Sequence, residues 1–324
     1  RADVAQFVIN LEQTVSKKRN NKSGATSETK TLRPGTSKKY LSHIREFFTY
    51  QLAKNRVRFD PTDGIRVTRK GRAKGAHEER APFTPAQVQA ILSAPIFRGA
   101  KSYARLTEPG PHHCRDGRFW YGLVKMLSGV RNAELEALGV TDVVKHYGVW
   151  HLDIHQMNKT QAGNRLVPLH SILLKAGFLD WVAQRMGESA NGRLFEPRKY
   201  ATIWNESILV KAGVKTDENS VYSFRHNFDD ALKELVQDRT RARLMGHAGS
   251  DMGSRYGNGQ VTRAQAAAIE RLDLGEVDFS FLFVYETVED ALAAAGELEP
   301  PGNNTFGDRD GRVPAAADGS PDPS

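Results

Sequence analysis

The 324-residue chain holds a single cysteine, Cys114, so no intramolecular disulfide forms and the folded state rests on burial and hydrogen bonding. A lone thiol fits a reducing compartment. Long apolar runs are missing as well. The most apolar stretch, FSFLFVY at 279–285, falls far short of the roughly 18 residues a membrane span needs, and nothing resembles a signal peptide. The expectation is a cytoplasmic protein, associated with the nucleoid in a bacterial host and without a membrane partner. The chain also lacks the clustered carboxylates of a two-metal nuclease. HHC at 112–114 comes nearest to a metal motif, but adjacent ligands point apart on regular backbone and no second cluster has zinc spacing. Neither a metal nor another cofactor is expected.

Charge is plentiful and unevenly spread. Net +8 overall, the chain carries 18 Lys/Arg against 6 Asp/Glu in residues 1–75 and 3 against 12 in residues 271–324. A basic front of this kind suits a polyanionic partner, because each neutralised phosphate releases counterions. The length suffices for two domains. In the first, spanning 1–75, the segment 36–55 sets Tyr40, Ile44, Phe47, Phe48 and Leu52 on one helical stripe, with Lys38, Lys39, Arg45 and Lys54 opposite. Pro61 and Gly64 close that pattern. The charged, glycine-bearing stretch 68–82 follows and reads as a linker, assigned to 76–82, with Arg69, Lys70, Arg72 and Lys74 able to track a DNA backbone.

The second domain is expected over 83–287. It opens on three agreeing helix-start signals: Thr84 as cap, Pro85 at the first position and Gln87 closing a capping box. A buried helix is expected over 118–129 and a short one ending at Gly139. A β-hairpin should pair 148–154 with 165–169, and helices should follow at about 171–186, 200–212, 223–237, 238–245 and 261–271. Trp120, Trp150, Trp181 and Trp204 read as core or interface residues. From 288 to 324 the composition turns to Ala, Gly, Pro and Asp, which reads as an acidic, disordered tail. The apolar run beside it, within 279–292, is expected to pack on a neighbouring protomer, with its own domain as the competing site.

Few polar residues interrupt the apolar-periodic segments, and they make a coherent chemical set. Arg131 follows the apolar helix, Lys159 sits in the hairpin turn, Arg225 lies early in SFRHNFDDAL, and His247 precedes Tyr256 by nine positions in a glycine-rich stretch. Guanidinium forks bind non-bridging phosphate oxygens, a turn lysine can protonate a leaving oxygen, and a phenol can attack phosphorus. Taken singly, each has a plainer reading: Arg131 with Glu134 as a surface ion pair, Lys159 as a solvated turn residue, His226 as a structural hydrogen bonder.

The segments SGVRNAELEAL, NKTQAGNRLVPLH, VYSFRHNFDDAL and LMGHAGSDMGSRYG, in this order, resemble the signature boxes of the tyrosine recombinase (phage integrase) family, and TSKKYLSHIREFFTYQLAKNRVRFDPTDGI resembles its core-binding domain. The likeness covers roughly residues 30–285. It implies a mainly α, two-domain protein: a helical core-binding domain and a mostly helical catalytic domain with a small β-sheet, the DNA breaking-rejoining fold. By position, Arg131 and Arg225 resemble the phosphate-clamping arginines, Lys159 the general acid, His247 the phosphate-bonding histidine and Tyr256 the nucleophile, with Glu134 in support. Where the family has His or Lys three residues before the second arginine, this chain has Tyr222, a neutral donor. The implied activity is site-specific cleavage and rejoining of double-stranded DNA at attachment sites through a 3′-phosphotyrosyl link, without metal or ATP. The implied assembly is a monomer when free and a homo-tetramer on DNA, with accessory DNA-bending or directionality proteins as further partners. A type IB topoisomerase and a DNA-binding relative that has lost catalysis are the alternatives.

Overall fold

The structure, a computed structural model, describes residues 2–13, 15–16, 30–32, 34–68, 81–155, 164–189, 192–247, 259–272 and 274–296. The chain divides into two compact units, Arg1–Glu79 and Arg80–Ser324.

In the first unit, helix α1 (Ala2–Gln13) packs on α2 (Pro34–Ala53), and the two-residue strands β1 (Val15–Ser16) and β2 (Lys30–Thr31) pair antiparallel. The α2 stripe differs from the expected one by about one position. Leu41 is buried with Ile44 and Phe48 half-buried behind it, whereas Tyr40, Phe47 and Leu52 are exposed. Residues 41, 44 and 48 follow the three-four spacing of one helix face, and the aromatic character of Tyr40 and Phe47 had pulled the reading off that line. Lys38, Lys39, Arg45 and Lys54 are exposed, as their spacing suggested, and Arg45 donates to the Ile65 carbonyl. Asp60 accepts from the Thr62 amide at 2.8 Å and the Thr62 hydroxyl at 2.7 Å, a local turn that stops further helix.

The second unit is described from Ala81, within the expected linker, and the Ala81 amide donates to the Glu218 carbonyl. Phe83 and Asn227 exchange a pair of hydrogen bonds at 2.8 and 2.6 Å. Helix α3 (Pro85–Leu92) carries the anticipated Thr84–Gln87 capping box. After α4 (Pro95–Arg98) comes a hairpin, β3 (Ala100–Ser102) with β4 (Arg105–Pro109), that the sequence reading had not assigned. Helix α5 (Gly117–Ser128) is the centre of the unit, with every residue from Phe119 to Ser128 buried. Trp120 stacks on Trp181 and Tyr121 on Tyr200, with ring centroids 5.8 and 5.1 Å apart. Helix α6 (Asn132–Ala137) leads to an antiparallel sheet of order β5 (Val143–His146), β6 (Val149–Ile154), β7 (Arg165–Pro168). The expected hairpin is β6–β7, and β5 is an additional strand.

The expected 171–186 helix is two helices, α7 (Ser171–Lys175) and α8 (Phe178–Glu188), because Gly177 takes a left-handed φ of 85° between them. Helix α9 (Tyr200–Ile203) runs through a π-helical turn, Trp204–Ile208, into α10 (Leu209–Lys211); α11 (Ser223–Lys233), α12 (Asp238–Met245) and α13 (Gly259–Glu270) follow. The boundary drawn at 287 does not hold. Thr287 and Asp290 form a capping box that starts α14 (Val288–Ala294), and Ala291 and Ala295 are buried. Alanine-rich composition had read as disorder, yet small side chains let this capped helix lie close to α7. Most of the preceding apolar run packs on its own unit, the competing site, with Phe279 and Leu282 buried and Val284 exposed. The Arg98 guanidinium lies 3.3 Å from the Phe281 ring centroid, Arg115 donates to the Leu282 carbonyl at 2.7 Å, and the Tyr285 hydroxyl donates to Asp180 at 2.7 Å. Among the described residues no helix is long and apolar enough to cross a membrane.

The approach of α5 to the π-helical turn depends on Gly122, where a Cβ would fall 1.9 Å from Cζ2 of Trp204. A helical Gly→Ala change ordinarily stabilises by up to about 1 kcal/mol. Here Gly122→Ala is expected to destabilise by roughly 1–3 kcal/mol through overpacking, read as a lower urea midpoint at unchanged m-value.

Candidate active site

Helix α5 ends because Gly129 enters the left-handed region at φ 60°, where a Cβ would meet the Phe228 ring at 2.5 Å. The turn it makes points two carbonyls back into the unit. Arg225, on the first turn of α11, donates from Nη1 to the Gly129 carbonyl at 2.7 Å, and Lys125 donates from Nζ to the Val130 carbonyl. The next residue, Arg131, is the N-cap of α6.

Glu134, at the third position of α6, is 4% exposed and accepts four hydrogen bonds, the capacity of a carboxylate. From Arg131 come the amide, 2.8 Å from Oε2, and Nη1, 2.6 Å from Oε1. From Arg165 on β7 come Nη2, 2.8 Å from Oε2, and Nη1, 3.2 Å from Oε1. Burial by itself would raise the Glu134 pKa. The bonds and charge of Arg165, with the amide and guanidinium of Arg131, outweigh it and hold the carboxyl at about 2.

The same three arginines take the last three carbonyls of the α12 terminus. Arg165 Nε donates to Leu244 at 2.8 Å, Arg225 Nη2 to Met245, and Arg131 Nη2 to Gly246 at 3.1 Å. A helix C-terminus carries partial negative charge, so cations are favoured there. Gly246, with φ 62°, turns the chain out of α12; a Cβ at that position would lie 2.6 Å from Arg165 Nη1. It delivers His247, whose Nε2 is 3.3 Å from Arg225 Nη2 while its amide donates to Ala242 at 2.8 Å. Partial desolvation and the Arg225 charge push the His247 pKa below its ordinary value. Burial, then the charges of Arg131 and Arg165, bring that of Arg225 down to about 10.

Arg131, Glu134, Arg225 and His247, chosen from sequence, therefore share one hydrogen-bonded network. Tyr222 borders it at the N-terminus of α11, half-buried, its ring edge-on to His226 at 5.4 Å between centroids and 5.9 Å from Lys125 Nζ. His226 thus touches Tyr222. Lys159, between β6 and β7, and Tyr256, between α12 and α13, lie outside the described residues, as do Arg69, Lys70, Arg72 and Lys74. Sequence reasoning missed Arg165 and Lys125. A basic residue in an otherwise apolar strand and a lysine within the apolar run LVKML are themselves the available signals, since such charges are seldom buried without a partner. His112 and His113 are exposed beside buried Cys114, and among the described residues no three His, Cys, Asp or Glu side chains are grouped to hold a metal.

No protein-family model and no curated protein matches the chain. Its likeness is to solved structures. The XerH site-specific recombinase bound to palindromic difH substrate, in a post-cleavage complex, is similar over 82% of this chain and 68% of its own, at 16% identity and a TM-score of 0.52. The Tn1549 transposon integrase in complex with transposon right end DNA is similar over 92% of this chain and 85% of its own, at 16% identity and a TM-score of 0.50. The chain has the tyrosine recombinase fold. The expected fold class, mainly helical with a small sheet, is thereby the observed one.

In this recombinase fold the arginine network is centred on a single carboxylate, which fixes how the unit answers acid. The folded Glu134 pKa of about 2 lies below the ordinary 4.5, so its contribution to stability is full above about pH 4.5 and is lost as the pH falls through about 2. Glu134→Gln leaves Arg165 buried without its counter-ion and is expected to cost roughly 3–5 kcal/mol near neutrality. In urea unfolding at several pH values, the gap between variant and parent should narrow as the pH drops below about 4.5.

Proposed function

We propose that the protein is a site-specific DNA recombinase that cleaves and rejoins strands through a 3′-phosphotyrosyl intermediate. The observation that carries this reading is the convergence of Arg131, Arg225 and His247 in a network with one carboxylate against several cations, which leaves positive charge in want of an anion. Of the five N–H groups of the Arg131 guanidinium, the described residues engage two, so donors remain for a phosphodiester.

In the proposed reaction the Tyr256 hydroxyl oxygen attacks phosphorus and gives up its proton to a base, a part open to the His247 imidazole, which is held below its ordinary pKa. The new P–O bond forms as the bond to the 5′ oxygen breaks, and Lys159 supplies the proton that the departing 5′ hydroxyl needs. Arg131, Arg225 and His247 hold the non-bridging oxygens and offset the charge that grows in the pentacoordinate transition state. Tyr222 adds a neutral donor beside them. The phosphoester energy stays in the protein–DNA link, so a second strand's 5′ hydroxyl can displace the tyrosine without ATP, and guanidinium charge takes the part that metal ions play in other phosphoryl-transfer sites. The XerH recombinase and the Tn1549 integrase, each solved with its DNA, lend support at the level of fold. The basic first unit, with Lys38, Lys39, Arg45 and Lys54 exposed on α2, supplies a surface for the duplex. Four protomers on paired attachment sites complete the reading.

On a nicked duplex that traps the intermediate, the parent protein should give an SDS-resistant adduct and Tyr256→Phe none, with DNA binding nearly unchanged. An adduct from the Phe variant would move the nucleophile elsewhere. Tyr222→Phe is expected to slow single-turnover cleavage roughly five- to 150-fold, equivalent to about 1–3 kcal/mol for one hydrogen bond to a charged group. Equal rates for Phe and Tyr would make Tyr222 a packing residue.

A further inference from the structure

Lys125 is a fully buried cation beside the clamp to which the proposed chemistry gives no part. It lies in the last turn of α5, is 0% exposed, and is flanked along the helix by Val124 and Met126, both buried. A lysine in such a place is rare, because the aliphatic stem gains from burial while the ammonium loses its hydration. A leucine would fill the helix at no such cost, so the amine has to be accounted for by what surrounds it. Its Nζ donates to the Val130 carbonyl, next along the chain to the Gly129 carbonyl held by Arg225 and immediately before Arg131. The two cations therefore grip consecutive peptide groups of the turn from which one arginine of the clamp projects. The charged and titratable groups that face Lys125 come from two directions. Arg225 and Tyr222 belong to the start of α11, and Glu134 and Glu136 belong to α6.

We propose that Lys125 is a positioning residue whose proton is linked to occupancy of the clamp: an anionic phosphodiester seated on Arg131 and Arg225 draws a proton onto the Lys125 amine, and the resulting ammonium tightens the Gly129–Arg131 turn. The inference rests on reading the network as a phosphate clamp. Without an anion, burial first and the Arg225 guanidinium second hold Lys125 down at about 7, against the pull of Glu134 and Glu136. Bringing a negative charge to Arg225 removes part of that repulsion and favours the charged amine. In slightly alkaline solution the free protein then holds Lys125 mostly neutral and the complex holds it protonated. By linkage, anion affinity falls as the pH rises, by at most about tenfold per unit for one proton. A lysine that merely plugged the turn would have the same proton count with and without the anion.

The test is isothermal titration of a short random-sequence duplex into the full chain near about pH 8, in two buffers of different ionisation enthalpy, so that net proton uptake is read directly. Tyr256→Phe is carried throughout to keep any cleavage proton out of the count. The expected result is uptake approaching one proton in this background, and its loss in Lys125→Met. His247→Gln, which removes the other group held below its ordinary pKa at the clamp, should leave the Lys125 share in place. Should Lys125→Met fail to fold, Lys125→Arg answers the same question: a guanidinium stays charged, so binding should persist with no uptake and a flat pH profile through about pH 7–9. Equal uptake in parent and Lys125 variants overturns the proposal. The adduct assay on Tyr256 is read separately. An adduct without Lys125-dependent uptake removes only this inference, and uptake without an adduct removes only the recombinase reading.

Discussion

The Glu134 carboxylate is the constraint on which the rest of the site depends, because it is the negative charge shared by two arginines that also reach the end of α12. Like-charged guanidiniums gathered around one helix end repel, and after burial this repulsion is the next cause of the lowered Arg225 pKa. Four hydrogen bonds on one buried carboxylate offset that repulsion and fix the directions in which Arg131 and Arg165 point. The network is thus strained toward positive charge while being geometrically fixed, the condition under which arriving anionic charge gains most from preorganised donors.

The fold supplies this arrangement by bringing three separate elements to one place. Helix α5, buried from Phe119 onward, ends at Gly129 against Phe228 of α11, β7 carries Arg165 from the sheet, and α12 terminates at Gly246 against Arg165. Each junction is set by close packing rather than by polar contacts alone, so the arginines inherit the precision of the core. The segment from Phe279 to Tyr285 is held to the same unit by Arg98, Arg115 and Asp180.

The legible part of this in the sequence was what side chains announce. The Thr84–Gln87 box, the apolar period of α5, the β6–β7 hairpin and the cluster of Arg131, Glu134, Arg225 and His247 all use residue types whose spacing carries a physical meaning. Arg165 escaped notice because RLVPL reads as an ordinary strand, and its role comes from contacts 31 and 79 residues away that no local pattern encodes. Lys125 was hidden inside an apolar helix where a single charge looked incidental. The α14 helix was misjudged because composition, which ranks alanine, glycine and proline together, outweighed the Thr287–Asp290 cap. The α2 stripe slipped because an aromatic ring was taken as a sign of burial.

At the terminus of α12 the arginines bind the peptide carbonyls of Leu244, Met245 and Gly246, and these oxygens are present whatever side chains those positions carry. Apart from the glycine that turns the chain, descendants of this sequence can therefore drift in residue identity here without disturbing the contacts, whereas an inserted or deleted residue would rotate the helix end by about 100° and hand each arginine the wrong oxygen. Divergence at this place is policed by chain length instead of by spelling.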